Sequence, residues 1–300
     1  MSALLGLPLH RTTVSGGFEI HFAEEGRGTP LVFIHGGMGD WSSWAPQWDT
    51  FTRHFRCITY SRRFSSPNQN VLDSGTHSVF AEAQDLVQLL EQWCEEPAIL
   101  VGTSYGAYTA LQTALAAPGR VLALVLTEPP VLPFADEVPG GQEARLQFQR
   151  EVLDPATEAF RQGDADRAVR MLTDGINGQG PGEAGTADGR ARRLRNAEAI
   201  RALCVSSDAY PALDRDALRA LRQPVLLTHG DRTQAIHRAT TSAVSRYLAH
   251  ARVAQVRDSG HGAHRDNPSD FNALVLDFLR ESCPDALRGA LPTAGRASSC

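Results

Sequence analysis

The sequence predicts a doubly wound, mostly parallel α/β sheet of about eight strands with an inserted helical cap, on the strength of three observations. Short continuous apolar runs recur along the chain. Helical apolar patterns separate most of them. One stretch of about a hundred residues carries helical patterns and no strand signal. Short apolar runs bounded by turn residues read as strands buried on both faces, and strands alternating with helices require parallel pairing through crossovers.

Taken in order, Thr12–Val14 and Phe18–Ala23 flank Ser15-Gly16-Gly17 and predict an antiparallel hairpin at the sheet edge. The continuous runs follow at Leu31–Ile34, Arg56–Tyr60, Ala98–Val101, Val121–Leu126, Val225–Leu227 and Arg252–Val256. Helices are predicted over Trp41–His54, with Asp40 as N-cap, and over Ser78–Cys94, where Phe80, Leu86, Val87, Leu89, Leu90 and Trp93 recur at helical spacing. Tyr105–Ala117 stops at Pro118-Gly119, and Ala235–His250 and Ser269–Arg280 complete the core set. The segment without strands has helical patterns at Gln142–Phe160, Asp164–Leu172, Arg192–Cys204 and Arg215–Arg222, with a Gly-rich mobile loop expected over Gly175–Gly189. The expected organisation is a core in two parts, residues 1–130 and 223–281, a cap over 131–222, and a disordered tail over 282–300, where Pro, Gly, Ala and Ser accumulate.

Composition narrows the function classes. The 300 residues are 42% apolar and 21% charged, with net charge −5. No basic excess exists to grip phosphates, so nucleic acid is not an expected partner. The 29 basic residues are all arginine, which excludes Schiff-base chemistry and a P-loop, since each needs a lysine. Met1–Arg11 lacks the basic lead and small-residue cleavage pattern of a signal peptide. No apolar run approaches the roughly 20 residues that cross a bilayer. Five widely spaced cysteines without a CxxC argue against a disulfide framework or a zinc site, and fit the cytoplasm. Cys57 and Cys94 are expected in the core. Neither metal nor organic cofactor is expected, and the oligomeric state stays open.

The chemistry-bearing motif is Gly102-Thr103-Ser104-Tyr105-Gly106, placed after the Ala98 strand and before a helix. That is G-x-S-x-G in the context of a nucleophile elbow. A serine on a tight strand-to-helix turn projects its hydroxyl from the sheet, and its neighbours two residues away must be small. The helix N-terminus favours developing negative charge there. His35-Gly36-Gly37 follows the Leu31 strand, and Gly260-His261-Gly262 follows the Arg252 strand. An imidazole titrates near neutrality, so His261 can take the serine proton. His264 ranks behind it, His35 is expected to brace its turn, and His10, His77 and His237 are expected at the surface.

With these motifs the chain resembles the α/β-hydrolase superfamily over nearly its whole length. The resemblance implies Ser104 as nucleophile, His261 as base, and an oxyanion hole from the backbone N–H groups of Gly37 and Tyr105, with Met38 as a possible substitute. It leaves the acid open. The superfamily's usual position, three residues past Gly230, holds Thr233, with Asp231 nearby; the alternative position after the sixth strand holds Glu128. Glu128 is the first choice and Asp231 the second. Dehalogenases and epoxide hydrolases of this fold use an aspartate nucleophile, so Ser104 points instead to an esterase-like enzyme with a Ser-His-acid triad. Its expected reaction is acyl transfer from a small or medium ester, lactone or thioester to water. Carbon–carbon hydrolysis, lyase or cyclase chemistry at the same site, and a non-catalytic ligand receptor, are the alternatives. Arg62 and Arg63 are candidates to clamp an anionic substrate or to brace loops. Met38, Trp41, Trp44, Leu132 and Phe134 are the expected pocket residues.

Overall fold

In the computed structural model, which describes residues 2–72, 77–178 and 186–288, the eight predicted strands form one sheet. They are β1 (His10–Val14), β2 (Phe18–Glu25), β3 (Pro30–Ile34), β4 (Arg56–Tyr60), β5 (Ala98–Thr103), β6 (Val121–Thr127), β7 (Val225–Gly230) and β8 (Arg252–Val256). Their spatial order is β1-β2-β4-β3-β5-β6-β7-β8. The β1–β2 hairpin and the β2–β4 pairing are antiparallel, and every pairing from β4 through β8 is parallel.

Helices cover both faces. In chain order they are α1 (Ala45–Phe51), α2 (Val79–Trp93), α3 (Tyr105–Ala116), α4 (Gly141–Phe148), α5 (Asp154–Arg161), α6 (Ala165–Asn177), α7 (Ala187–Arg195), α8 (Ala197–Val205), α9 (Arg215–Ala220), α10 (Ala235–Ser245), α11 (Ala263–Asp266), α12 (Pro268–Ser282) and α13 (Pro284–Arg288). Strand alternation divides the core into two layers. Val32 and Ile34 of β3 and Leu100 of β5 join one apolar cluster with α2, α3 and α10. Leu31 and Phe33, with Ile99 and Val101, join the other with α1 and α12. Asp40 caps the turn before α1 with a reciprocal capping box to Ser43.

Helices α4 to α9 all lie between β6 and β7, so the insertion enters at the carboxyl edge of the sheet. Two expectations change here. Gly175 is inside α6 rather than in a loop, because a Cβ there would come within 2.4 Å of Val152; the glycine permits close helix contact. The expected loop continues into residues 179–185, outside the described residues, and α7 begins at Ala187. The predicted tail also starts as structure: Ser282 ends α12, and Cys283 and Ala286 of the α13 segment are buried in the second core layer. Two small apolar residues three apart suffice to give this segment a packing face, despite its Pro- and Ala-rich composition. Residues 289–300 lie outside the described residues. No helix among the described residues is long and apolar enough to cross a membrane.

Candidate active site

The turn from β5 into α3 holds Ser104 at φ 51° and ψ −125°. A non-glycine residue in such a conformation costs on the order of 1–3 kcal/mol and persists only where its surroundings fix it. Here the fixing is visible. Ser104 N–H donates to Thr127 O at 2.7 Å, tying the turn to the end of β6. The two glycines are demanded by backbone: a Cβ on Gly102 would sit 2.5 Å from Gly106 O, and one on Gly106 would sit 2.2 Å from Ile34 O. Tyr105 is the first residue of α3, so its N–H has no intrahelical acceptor.

Glu128 follows β6 directly, at φ 48°, and is fully buried. Its Oε1 accepts from Gly230 N–H at 2.9 Å, and its Oε2 from the Thr233 hydroxyl at 2.9 Å. His261 Nδ1 lies 2.5 Å from the same Oε2. Burial pushes the glutamate pKa up, but the hydrogen bond from His261 and the Gly230 N–H outweigh it, and the net shift is downward. An ionised carboxylate only accepts, so His261 carries its proton on Nδ1 and presents a lone pair on Nε2. Thr233, at the usual acid position, acts as a donor to Glu128. Asp231 faces elsewhere: its two oxygens accept from the N–H groups of Asp258 and Ser259, each at 2.9 Å. These backbone bonds, Ser259's first, hold its carboxyl below the usual range. Asp231 thus ties down the loop that delivers His261.

His237, expected at the surface, is buried and stacks on His261, with ring centroids 3.9 Å apart and planes 24° apart. Its Nε2 donates to Ile176 O at 3.1 Å, linking α10 to the inserted α6. Burial, then the neighbouring His261 charge, lowers its pKa to about 3, so the ring is neutral. Glu128, His237 and His261 bring ligand-type atoms within 4.8 Å of one another. The two rings lie in near-parallel planes, His261 Nδ1 is engaged with Glu128 Oε2, and His237 Nε2 with Ile176 O.

His35 braces the turn after β3. Its Nε2 accepts from Arg62 N–H at 3.0 Å, so Nδ1 bears the proton and donates to Gly36 O at 2.8 Å. Burial, then the Arg62 charge, lowers its pKa to about 3. Arg62 Nη2 also reaches Gly36 O, at 3.3 Å. The peptide is planar, so fixing the Gly36 carbonyl from one side aims the Gly37 N–H the other way. Among the described residues, that N–H has no acceptor. A Cβ on Gly36 would lie 3.3 Å from Ser104 Cβ, which sets this turn against the elbow.

Arg62 and Arg63 brace the framework instead of facing the cavity. Arg62 is buried against Glu82 at 2.8 Å, and His77, also expected outside but buried, approaches the same oxygen at 2.9 Å. Arg63 makes two bonds to Asp85, at 2.8 and 2.6 Å, and lies 3.9 Å over the Phe18 ring.

Ser104, His261, Gly37, Tyr105 and Met38 line one cleft. Its other wall comes from the insertion: Leu132, Phe148, Leu172, Ile200 and Leu203. Trp41, Trp44, Phe134 and Arg63 are absent from the lining. Trp44 is core, packed on Phe33 and His264; Phe134 packs on Tyr247 beneath Arg215; Trp41 is held to β4 through Ser61 and Thr59. The sequence placed His237 at the surface and marked Thr233 only as the residue at the usual acid position, and it singled out none of Arg192, Arg193 and Arg265, which line the cleft. Of these, only Thr233 carried a local signal, as the non-acid three residues past Gly230.

A family model described as "Alpha/beta hydrolase family" matches residues 31–274. Among curated proteins, a pimeloyl-[acyl-carrier protein] methyl ester esterase of Nitrosospira multiformis is 24% identical over 271 residues, 88% of this chain and 100% of that protein. A 2-hydroxy-6-oxo-6-phenylhexa-2,4-dienoate hydrolase of Comamonas testosteroni is 26% identical, covering 88% of this chain and 92% of that one. Among solved structures, a thermophilic esterase from Thermogutta terrifontis superposes with TM-score 0.71 at 22% identity, over 92% of this chain and 99% of that chain.

Proposed function

The chain belongs to the alpha/beta hydrolase family, and from that premise we propose that it is a serine-dependent hydrolase of small to medium esters, lactones or thioesters, working through an acyl-enzyme. One observation carries the reading: the buried Glu128 carboxylate holds His261 Nδ1 at 2.5 Å, and His261 and the strained Ser104 line the same cleft. The fixed tautomer leaves Nε2 to take the Ser104 proton as the hydroxyl attacks the carbonyl carbon. The C=O bond becomes an oxyanion, received by the N–H groups of Gly37 and Tyr105; one such donor is typically worth about 3 kcal/mol. Collapse expels the leaving group, which takes its proton from His261, and a water activated by the same imidazole then releases the acid. Glu128 stabilises the imidazolium at each stage. The apolar wall of the insertion suits a compact substrate over a polymer. These assignments rest on the geometry of the cleft and on its likeness to esterases and hydrolases.

The test is turnover of p-nitrophenyl butyrate together with intact-mass labelling by a fluorophosphonate. Turnover and a single label, both lost in Ser104→Ala, are expected. An unlabelled, inactive wild type sinks the reading.

A further inference from the structure

His261 is held at its edge and across its face by different parts of the chain. At the edge, Glu128 Oε2 lies 2.5 Å from Nδ1. The torsion that turns an imidazole plane is broad, so one hydrogen bond at the edge is a soft restraint. Across the face lies the His237 ring, with centroids 3.9 Å and planes 24° apart. His261 cannot swing toward that side without overlapping it. His237 is itself anchored. It is the third residue of α10 and is buried. Its Nε2 donates to Ile176 O at 3.1 Å, and Phe148 of α4 meets it edge-on, with centroids 6.1 Å apart. Ile176 is in the last turn of α6, where carbonyls have no intrahelical donor. Gln234 donates to the neighbouring Gly175 O. The start of α10 thus caps the inserted α6 at two successive carbonyls, and His237 stands between that helix and the base.

We propose that His237 is a positioning residue for the base: clamped to Ile176 O of the insertion, its ring fixes the plane of His261 so that Nε2 stays aimed at Ser104. The proposal deepens the serine-hydrolase reading and rests on it. The segment after β7 then supports acid and base at three points: Gly230 N–H and the Thr233 hydroxyl on Glu128, and the His237 ring on His261. The stacked ring sets no second charge against the imidazolium formed in turnover. Burial first, with His261 and Arg238, keeps it neutral against the opposing effects of Glu128 and the Ile176 carbonyl. The insertion therefore reaches the chemistry through α10 as well as through the cleft wall.

Three substitutions separate the ring from the bond. His237→Phe keeps a flat ring and loses the donor. His237→Gln keeps a donor and loses the ring. His237→Leu loses both but still fills the space. On p-nitrophenyl butyrate, the Gln and Leu variants should lose about tenfold or more in kcat with KM within about threefold, as for a base displaced rather than removed. The Phe variant should be at least about fivefold faster than Gln, a rescue by ring shape alone. Each kcat is divided by the folded fraction from a thermal melt of the same preparation. If Leu does not fold, the Phe and Gln pair carries the comparison. A folded Gln or Leu variant within about threefold of wild-type kcat overturns the proposal. So does a Phe variant no faster than Gln, which would credit the bond instead of the ring. If the wild type neither turns over nor takes a fluorophosphonate, the serine reading fails separately, and proton NMR decides. The proton between His261 Nδ1 and Glu128, assigned by its loss in Glu128→Gln, should resonate downfield in the wild type and in His237→Phe. It should broaden or vanish in His237→Gln and His237→Leu; an unchanged resonance in both overturns the positioning role.

Discussion

Glu128→Gln changes one atom that matters. The amide oxygen can keep the Gly230 N–H, which Oε1 now accepts at 2.9 Å. The amide nitrogen then replaces Oε2 and points two N–H groups at the Thr233 hydroxyl and His261 Nδ1, both now donors to that oxygen. The hydroxyl can rotate and accept. The imidazole can accept only by moving its proton to Nε2, which places an N–H where Ser104 needs a base. The wrong tautomer also loses the charge that stabilises imidazolium. The equivalent change in serine proteases costs about 10⁴ in kcat. For this chain the expected loss in kcat/KM is about 10³ to 10⁴, or roughly 4–5.5 kcal/mol of transition-state stabilisation. Folding should survive, because the substitution is isosteric and two of the three contacts can be remade. Initial rates on p-nitrophenyl butyrate, beside a thermal melt of the same preparation, measure both. A folded Glu128→Gln enzyme retaining more than about a tenth of wild-type activity, with Asp231→Asn inactive, would refute the assignment of the acid.

Asp231→Asn should behave differently, staying within about tenfold of wild-type activity and losing roughly 1–2 kcal/mol of stability in denaturant titration, since its amide can satisfy only one of two backbone donors. Adding Thr233→Asp to Glu128→Gln should recover about tenfold or more of the lost rate, because position 233 already reaches the oxygen that faces His261; no recovery would count against a shared acid locus. Gly106→Ala should fail to fold or melt far below wild type, by roughly 3 kcal/mol or more, as its Cβ would enter the Ile34 carbonyl at 2.2 Å. Acid should weaken the fold through Glu82. Burial alone would raise its pKa, but Arg62 and His77 bring it from 4.5 to about 2. The folded value lies below the unfolded one, so the contribution is full above about pH 4.5 and fades as pH falls toward 2. On the order of 3 kcal/mol is at stake. Chemical denaturation across that range should show the slope, and Glu82→Gln, less stable throughout, should flatten it.

Much of this was legible in the sequence because the relevant signals are local. Continuous apolar runs located six of the eight strands, and the Ser15-Gly16-Gly17 turn located the edge hairpin that supplies the other two. The elbow was legible because Gly102 and Gly106 answer to backbone contacts that no other residue tolerates. Arg62 and Arg63 were not, since a charge beside a strand end looks the same whether it meets substrate or a carboxylate twenty residues away. His77 and His237 were misplaced for the same reason: their burial depends on Glu82 and on Ile176 O, partners that local context does not reveal. Arg192 and Arg193 of α7 and Arg265 of α11 line the cleft from positions some seventy residues apart in sequence, so only the folded chain brings them together.

The position of the acid has a consequence for how such enzymes can be recombined. Glu128 is followed at once by Pro129-Pro130, and everything from there to β7 is the inserted part. The neck that carries the insertion therefore begins on the residue that holds His261 Nδ1, and two prolines with fixed φ make that neck stiff. With an acid after β7, by contrast, the insertion and the triad would share no junction. A crossover at the end of β6 would exchange the acid along with the helices, whereas one placed after Pro130 would exchange the helices alone. Swaps of the inserted helices are thus confined to a narrow seam, and a lineage that trades insertions upstream of that seam must trade Glu128 with them.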